Sequence, residues 1–161
     1  MIAIAADDEA SMLTLGGHLA ALLKGSGAVF IRGDLAAGKT TLCRGMLHAM
    51  GHIGAVKSPT FTLVEPYEIR GVEVSHFDLY RLSDPGELDY IGIDEYFARE
   101  GLCLVEWPEK AAGQLPQHDL EITIDVLGEK RNISIQATSA DGETICESLA
   151  QIYGRSRIDS E

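Results

Sequence analysis

The sequence contains the segment Gly33-Asp34-Leu35-Ala36-Ala37-Gly38-Lys39-Thr40, which matches the phosphate-binding pattern GxxxxGK[ST]. The apolar run from Ala28 to Ile31 predicts a strand before it, and a helical stretch ending at Gly51 follows it. In that context the backbone N–H groups of the loop and the positive end of the helix converge on an anion. A plain glycine-rich turn would not need this placement, so we predict a nucleotide-binding loop.

The loop residues have distinct expected roles. Lys39 is expected to reach the β- and γ-phosphate oxygens of ATP, and the Thr40 hydroxyl to ligate Mg²⁺. Glycine at positions 33 and 38 lets the backbone approach a phosphate without a Cβ clash. The predicted cofactors are therefore ATP and Mg²⁺.

Composition limits the architecture and the partners. With 161 residues, 45% of them hydrophobic, the chain can bury one core, and we predict one domain over residues 1–154 and a polar tail over 155–161. The net charge of -12 argues against direct grip on a nucleic-acid backbone, which needs clustered Lys and Arg. If RNA is involved, a partner is expected to hold it.

The N-terminal composition and the cysteine spacing predict the cellular location of the chain and the redox state of its cysteines. The first 23 residues contain no Lys or Arg and no long apolar core, which predicts neither a signal peptide nor a membrane span, and so a cytoplasmic location. Three cysteines, Cys43, Cys103 and Cys146, form no CxxC pair and are expected to be reduced, buried thiols.

Alternating and continuous apolar runs predict the fold class. We expect a single-domain α/β P-loop NTPase fold with a mixed, mostly parallel central sheet, flanking helices and β-hairpin insertions. The run from Leu102 to Val105 has the composition of a buried parallel strand. The two predicted hairpins pair 60–68 with 72–77 and 119–127 with 132–137.

Two carboxylates compete for the metal and the catalytic role. Glu106 follows the continuous apolar run, which favours it as the acid on the Mg²⁺ side. Asp78 follows an alternating run that is more typical of a hairpin strand than of a central strand. Either residue could also be a solvated acid at the end of a strand.

Two further sequence features are candidates for a nucleotide site. Ser58 to Thr62 has the makeup of a switch-like loop, in which the hydroxyl of Thr60 or Thr62 could reach a γ-phosphate or Mg²⁺. Trp107 is the only tryptophan, and packing in the core is favoured over stacking on a base.

Four motifs in order, GDLAAGKTT (33–41), VKSPTFTLVEPY (56–67), HFDLYR (76–81) and LVEWPE (104–109), resemble the TsaE family, formerly YjeE. These are small bacterial ATPases required for the threonylcarbamoyladenosine modification next to the anticodon of tRNAs that read codons beginning with A. The resemblance covers roughly residues 7 to 137.

The resemblance implies roles for individual residues. Asp78 would be the catalytic carboxylate, acting with Lys39 and the switch threonine Thr60, while Thr40 and Glu106 would hold Mg²⁺. The implied cofactor contacts are Gly33, Asp34, Leu35, Ala36, Ala37, Gly38, Lys39, Thr40, Thr41, Trp107 and Ser11.

Two positions depart from the family pattern. Ala36 stands where the family usually has glycine, which would weaken nucleotide binding slightly if that position has φ > 0. Met12 stands where the family has a threonine on the adenine side of the pocket, with Ser11 as the possible substitute.

The resemblance also implies partners. TsaB and TsaD form the tRNA-bound transferase of the system, TsaC makes the threonylcarbamoyl-adenylate, and ATP hydrolysis resets the TsaB–TsaD complex between turnovers. Since no built-in arginine finger is evident, we expect slow hydrolysis that the partners accelerate. The alternatives are a nucleotide-gated binding module with negligible turnover, and a small kinase with Asp78 as base and Arg81 or Arg99 as a lid arginine.

Overall fold

The structure, a computed structural model, describes residues 1–154, so the predicted tail over 155–161 lies outside the described residues. Within the described part, the strands are β1 Ile2–Ala6, β2 Gly27–Gly33, β3 Val64–Ile69, β4 Val72–Asp78, β5 Leu102–Glu106, β6 Leu120–Leu127 and β7 Lys130–Ala137. The helices are α1 Glu9–Leu23, α2 Lys39–Met50, α3 Gly86–Ile91, α4 Ile93–Ala98 and α5 Ala140–Tyr153, with a 3₁₀ helix at Pro108–Ala111.

The seven strands form one sheet in the order β1-β7-β6-β2-β5-β4-β3. Strand β2 runs parallel to both β5 and β6, and β4 runs parallel to β5. The outer pairs β6–β7, β7–β1 and β4–β3 are antiparallel. The predicted mixed sheet with a mostly parallel centre is confirmed, and its hairpins occupy the two sides.

Helices cover both faces of this sheet. Side chains alternate along a strand, so Val29 and Ile31 of β2 pack on one face in the cluster that holds α1, α2 and α5. Phe30 points the other way, into a cluster that includes Leu88 of α3 and Ile93 of α4. All residues of β5 are buried, as its continuous apolar sequence predicts.

Two glycines set the position of α2 against α1. A Cβ atom on Gly16 would lie 2.6 Å from the carbonyl oxygen of Leu42, and one on Gly45 would lie 2.6 Å from that of Leu13. The two helices can approach this closely only because neither residue has a side chain. This contact fixes α2, and with it the loop that precedes the helix.

The first predicted hairpin needs two corrections. Its first strand begins at Val64 and not at Thr60, because Leu63 has φ +68 and its N–H donates to Pro59 O in a turn. The prediction that the strand before Asp78 is a hairpin strand and not a central strand was wrong. Strand β4 forms a hairpin with β3 and also pairs in parallel with β5, inside the sheet. The hairpin from β6 to β7 is confirmed.

The chain forms no candidate membrane span within residues 1–154, where every helix is too short or too polar to cross a bilayer.

Candidate active site

Lys39, the first residue of α2, is folded into the loop that precedes the helix. Its Nζ donates to Gly33 O at 2.7 Å and to Asp34 O at 2.8 Å, and it lies 4.3 Å from the centre of the Trp107 ring. Burial lowers the pKa of Lys39, while the carboxylates of Glu106 and Asp78 oppose this shift. The ammonium group therefore lies among neutral backbone acceptors that it can exchange for phosphate oxygens.

The register of β4 and β5 brings the two predicted carboxylates together. Asp78 and Glu106 are directly paired residues at the carboxyl ends of these parallel strands. They are 3% and 2% exposed, so neither is the solvated strand-end acid that the sequence left open. In open α/β sheets, ligands bind at this edge.

Glu106 contacts the loop helix directly. The Thr40 hydroxyl donates to Glu106 at 3.0 Å from Oε1 and 3.1 Å from Oε2. A threonine hydroxyl beside a buried carboxylate is an oxygen donor set that suits Mg²⁺. The structure thus brings Thr40 and Glu106 together, and their role in holding Mg²⁺ stays a prediction.

His76 is a residue of this site to which sequence reasoning gave no role. Its Nε2 lies 2.6 Å from Glu106 Oε2, its side chain is fully buried, and within residues 1–154 its Nδ1 has no hydrogen-bond partner. The sequence did contain a signal that His76 lies at the site: His76 and Asp78 are two residues apart in a strand, so their side chains share one face. The sequence alone could not show that this face meets Glu106.

Asp78 holds the switch-like loop. Its Oδ2 accepts hydrogen bonds from the Ser58 hydroxyl and, at 3.2 Å, from the Thr60 hydroxyl. Its Oδ1 accepts the Tyr80 backbone N–H at 2.9 Å. Asp78 is thus bonded to the switch-like loop and to the turn after β4, whereas Glu106 is bonded to the helix and His76.

These residues surround one open cavity of about 520 Å³, within the size range of small-molecule sites. Of the predicted site residues, the cavity is lined by Leu35, Ala36, Ala37, Gly38, Lys39, Thr40, Thr41, Thr60, Asp78, Glu106 and Trp107. Gly33 and Asp34 do not line it, and act through the carbonyls that hold Lys39. Arg81 also lines the cavity, whereas Arg99 does not.

A second cavity of about 400 Å³ lies on the other side of the loop and shares Ala36, Ala37, Gly38 and Thr41 with the first. Met12, Arg44 and Arg131 also line it, but Ser11 does not. The Ser11 hydroxyl instead donates to Asp8 Oδ1 at the start of α1. The two arginines were missed by sequence reasoning, because they come from distant elements.

Ala36 has φ +63, so the residue that replaces the family glycine adopts a left-handed conformation. Such a conformation costs an alanine about 1–2 kcal/mol relative to the right-handed one. Position 36 therefore has the positive φ at which alanine was expected to weaken nucleotide binding slightly, and the loop carries local strain.

Trp107 packs on the core, the arrangement that the sequence favoured, and it also lines the cavity. The ring is half-buried and packs on the hydrophobic cluster around Phe77, as a core tryptophan would. It also lines the cavity, 4.9 Å from the ring of Tyr80 and below the Lys39 ammonium. Its position makes it a reporter of the loop.

A phosphate loop between a central parallel strand and a helix, with strand-end carboxylates facing it, defines a protein of the P-loop NTPase class. The sequence model of the family "Threonylcarbamoyl adenosine biosynthesis protein TsaE" matches residues 6–133, and the chain belongs to this TsaE family.

Individual relatives agree with this assignment. The chain is 47% identical over 148 residues to a protein of Haemophilus influenzae named tRNA threonylcarbamoyladenosine biosynthesis protein TsaE, covering 89% of this chain and 94% of the relative. A protein of the same name from Bacillus subtilis is 39% identical, over 82% of this chain and 83% of its own length. The crystal structure of Bacillus subtilis YdiB superposes with a TM-score of 0.80 at 30% identity, covering 94% of this chain and 97% of that one.

Proposed function

We propose that this protein binds ATP with Mg²⁺ and hydrolyses it in support of the threonylcarbamoyladenosine modification of tRNA. The observation that carries the proposal is the convergence of Lys39, Thr40, Asp78 and Glu106 on one cavity. Close relatives are named for the biosynthesis of this modification, which supplies the biological context.

The loop and Lys39 bind the triphosphate. The backbone N–H groups of 34–41 contact the phosphates, and Lys39 moves from Gly33 O and Asp34 O to the β- and γ-oxygens. The second cavity, on the other side of the loop, takes the nucleoside. There Met12 offers an apolar contact for the base, while Ser11 remains a candidate hydrogen-bonding residue at its margin.

Thr40 and Glu106 hold Mg²⁺, since their oxygens are adjacent and one of them is a buried carboxylate. When bound, the ion neutralises charge on the β- and γ-phosphates. His76 fixes the orientation of the Glu106 carboxylate through its Nε2.

Asp78 orients the attacking water. In hydrolysis the water oxygen attacks the γ-phosphorus, the bond to the bridging oxygen breaks, and ADP keeps that electron pair. The Asp78 carboxylate lines the cavity and accepts the proton that the water loses, before passing it to solvent. For this, Asp78 must exchange its hydrogen bonds with Ser58 and Thr60 for one with water.

Because Asp78 must first be freed from Ser58 and Thr60, the rate of hydrolysis would depend on partners. As long as Ser58 and Thr60 occupy Asp78, hydrolysis is slow, and a complex that rearranges the segment Ser58 to Thr62 accelerates it. We propose TsaB and TsaD as that complex, with hydrolysis resetting it between turnovers in the cytoplasm. The acidic chain meets tRNA only through these partners.

The same hydrogen bonds favour a second candidate, a nucleotide-gated binding module. If Asp78 stays bonded to Ser58 and Thr60, ATP binds and orders the loop without being hydrolysed. The two functions differ only in turnover, so one assay separates them.

The test follows γ-labelled ATP with and without the TsaB–TsaD complex. We expect slow release of inorganic phosphate by the protein alone and faster release with the complex. Lys39→Ala should abolish productive binding, whereas Lys24→Ala, an exposed lysine that lines neither cavity, should not. Unchanged ATP with retained binding would support the module, and label on an organic acceptor would indicate a kinase.

A further inference from the structure

Arg81 lines the same cavity as the phosphate loop. It follows β4 by three residues, and the hydrogen bond from Tyr80 N to Asp78 Oδ1 holds the turn that carries it. Lys39 and Arg81 are the cationic side chains that line this cavity, whereas Asp78 and Glu106 contribute negative charge.

The guanidinium of Arg81 has a resting place on an exposed aromatic ring. Its Cζ lies 4.4 Å from the centre of the Phe61 ring, and Phe61 is 83% exposed. Such a cation–π contact at an exposed site is weak. Phe61 belongs to the segment Ser58 to Thr62, so any rearrangement of that segment also moves the resting place of Arg81.

Three other arginines of the described chain are held by ion pairs or hydrogen bonds, which are stronger than this contact. Arg32 lies 3.5 Å from a Glu121 oxygen, Arg44 pairs with Glu9, and the Nε of Arg131 donates to Ala37 O. Within residues 1–154, Arg81 forms no ion pair and no side-chain hydrogen bond. Its N–H donors are therefore available to a ligand, and only the weak contact with Phe61 has to be broken.

We propose that Arg81 is the built-in arginine that contacts the γ-phosphate, and that Phe61 holds it in a resting position. The proposal rests on the proposed ATP site, and it assigns a built-in arginine where none is evident from the sequence. The charge of the cavity supports it, since Lys39 and a bound Mg²⁺ together carry fewer positive charges than two buried carboxylates and a triphosphate carry negative ones. A guanidinium matches the oxygens of a transferring phosphoryl group through two parallel hydrogen bonds.

Calorimetry with three ligands tests this contact: ADP, a non-hydrolysable ATP analogue, and ADP with aluminium fluoride, each with Mg²⁺. In Arg81→Ala the affinity for ADP should stay within about twofold, because ADP lacks the γ-phosphate. The affinity for the analogue should fall about tenfold or more, and that for ADP with aluminium fluoride about a hundredfold. Arg81→Lys should restore only part of the loss, because lysine cannot form the paired contact.

Two further variants complete the design. Arg99 also stacks on an aromatic ring, Tyr96 at 4.8 Å, but lines neither cavity, so Arg99→Ala is the matched control and should bind all three ligands normally. Phe61→Ala removes the resting contact and should raise the affinity for the analogue about twofold to fivefold.

Defined results would overturn the proposal. Arg81→Ala could bind the analogue as tightly as the unchanged protein, or could lose ADP and the analogue equally, which would indicate a general charge effect. A fall in analogue affinity in Phe61→Ala would exclude the resting role. If the unchanged protein releases no phosphate, the hydrolase function fails, but the difference between ADP and the analogue still decides the role of Arg81.

Discussion

The Nε2 atom of His76 lies 2.6 Å from Oε2 of Glu106, and both side chains are almost completely buried. The other oxygen of the same carboxylate accepts the Thr40 hydroxyl at 3.0 Å. Glu106 is therefore held from the strand beside it and from the loop helix at once. This arrangement lets a buried carboxylate keep one orientation before any ligand arrives.

His76→Ala should lower both stability and Mg²⁺-dependent nucleotide affinity. A buried carboxylate that loses a hydrogen-bond donor is destabilised by about 1–3 kcal/mol. Loss of such an orienting contact typically costs about 10–100-fold in metal affinity. Denaturant unfolding and calorimetry with and without Mg²⁺ measure the two effects. The control is His48→Ala, an exposed histidine on Gly54 O, and equal losses in both variants would contradict the role of His76.

Glu106→Gln and Asp78→Asn should separate the two carboxylates. The first variant removes the charge on the metal side, so the Mg²⁺ dependence of nucleotide affinity should fall. The second should leave binding nearly intact and lower the rate of phosphate release, because Asp78 faces the switch-like loop. Titrations of nucleotide at several Mg²⁺ concentrations, together with phosphate release, check both. The reverse pattern would exchange the two roles.

Trp107 emission should change when ATP or ADP binds. The Lys39 ammonium lies over the Trp107 ring, and binding moves this cation towards the phosphates. Because Trp107 is the only tryptophan, a fluorescence titration reports this site alone. The same titration of Lys39→Ala is the control and should be flat. A constant spectrum in the unchanged protein, with binding confirmed by calorimetry, would show that the ring does not sense the loop.

Ala36→Gly should stabilise the protein. It removes the strain of the left-handed φ at position 36, and this gain exceeds the added freedom of glycine in the unfolded chain, for a net of about 0.5–1 kcal/mol. Ala49→Gly, at an exposed position in α2, should instead destabilise by about 1 kcal/mol. Denaturant midpoints compare the two, and the same sign in both would refute the strain at Ala36.

The thiols should differ in reactivity, with a defined pH dependence. Burial raises the pKa of Cys103 to about 12 and that of Cys43 well above its ordinary value. A raised pKa lowers the thiolate fraction at every pH below it, so neither thiol should react with a disulfide reagent near pH 8. Burial also raises the pKa of Cys146, but this side chain is only half-buried and should therefore react first. All three should react after unfolding, and fast reaction of Cys43 in the folded protein would contradict its burial.

The sequence by itself determined the phosphate loop, the elements on either side of it and the class of sheet. These depend on local patterns: GxxxxGK[ST] fixes a loop between β2 and α2, and the continuous apolar run fixes β5 as a buried parallel strand. The motifs, read in order, also indicated the family before any geometry was known.

Tertiary structure alone decided which side chains meet. The parallel register of β4 and β5 pairs Asp78 with Glu106 and brings His76 to the Glu106 carboxylate, although no local pattern encodes that register. Likewise, Arg81 rests on Phe61 because the turn after β4 returns to the loop before β3. Contacts between residues distant in sequence depend on how the strands align and how α2 packs, and local propensity carries no information on either.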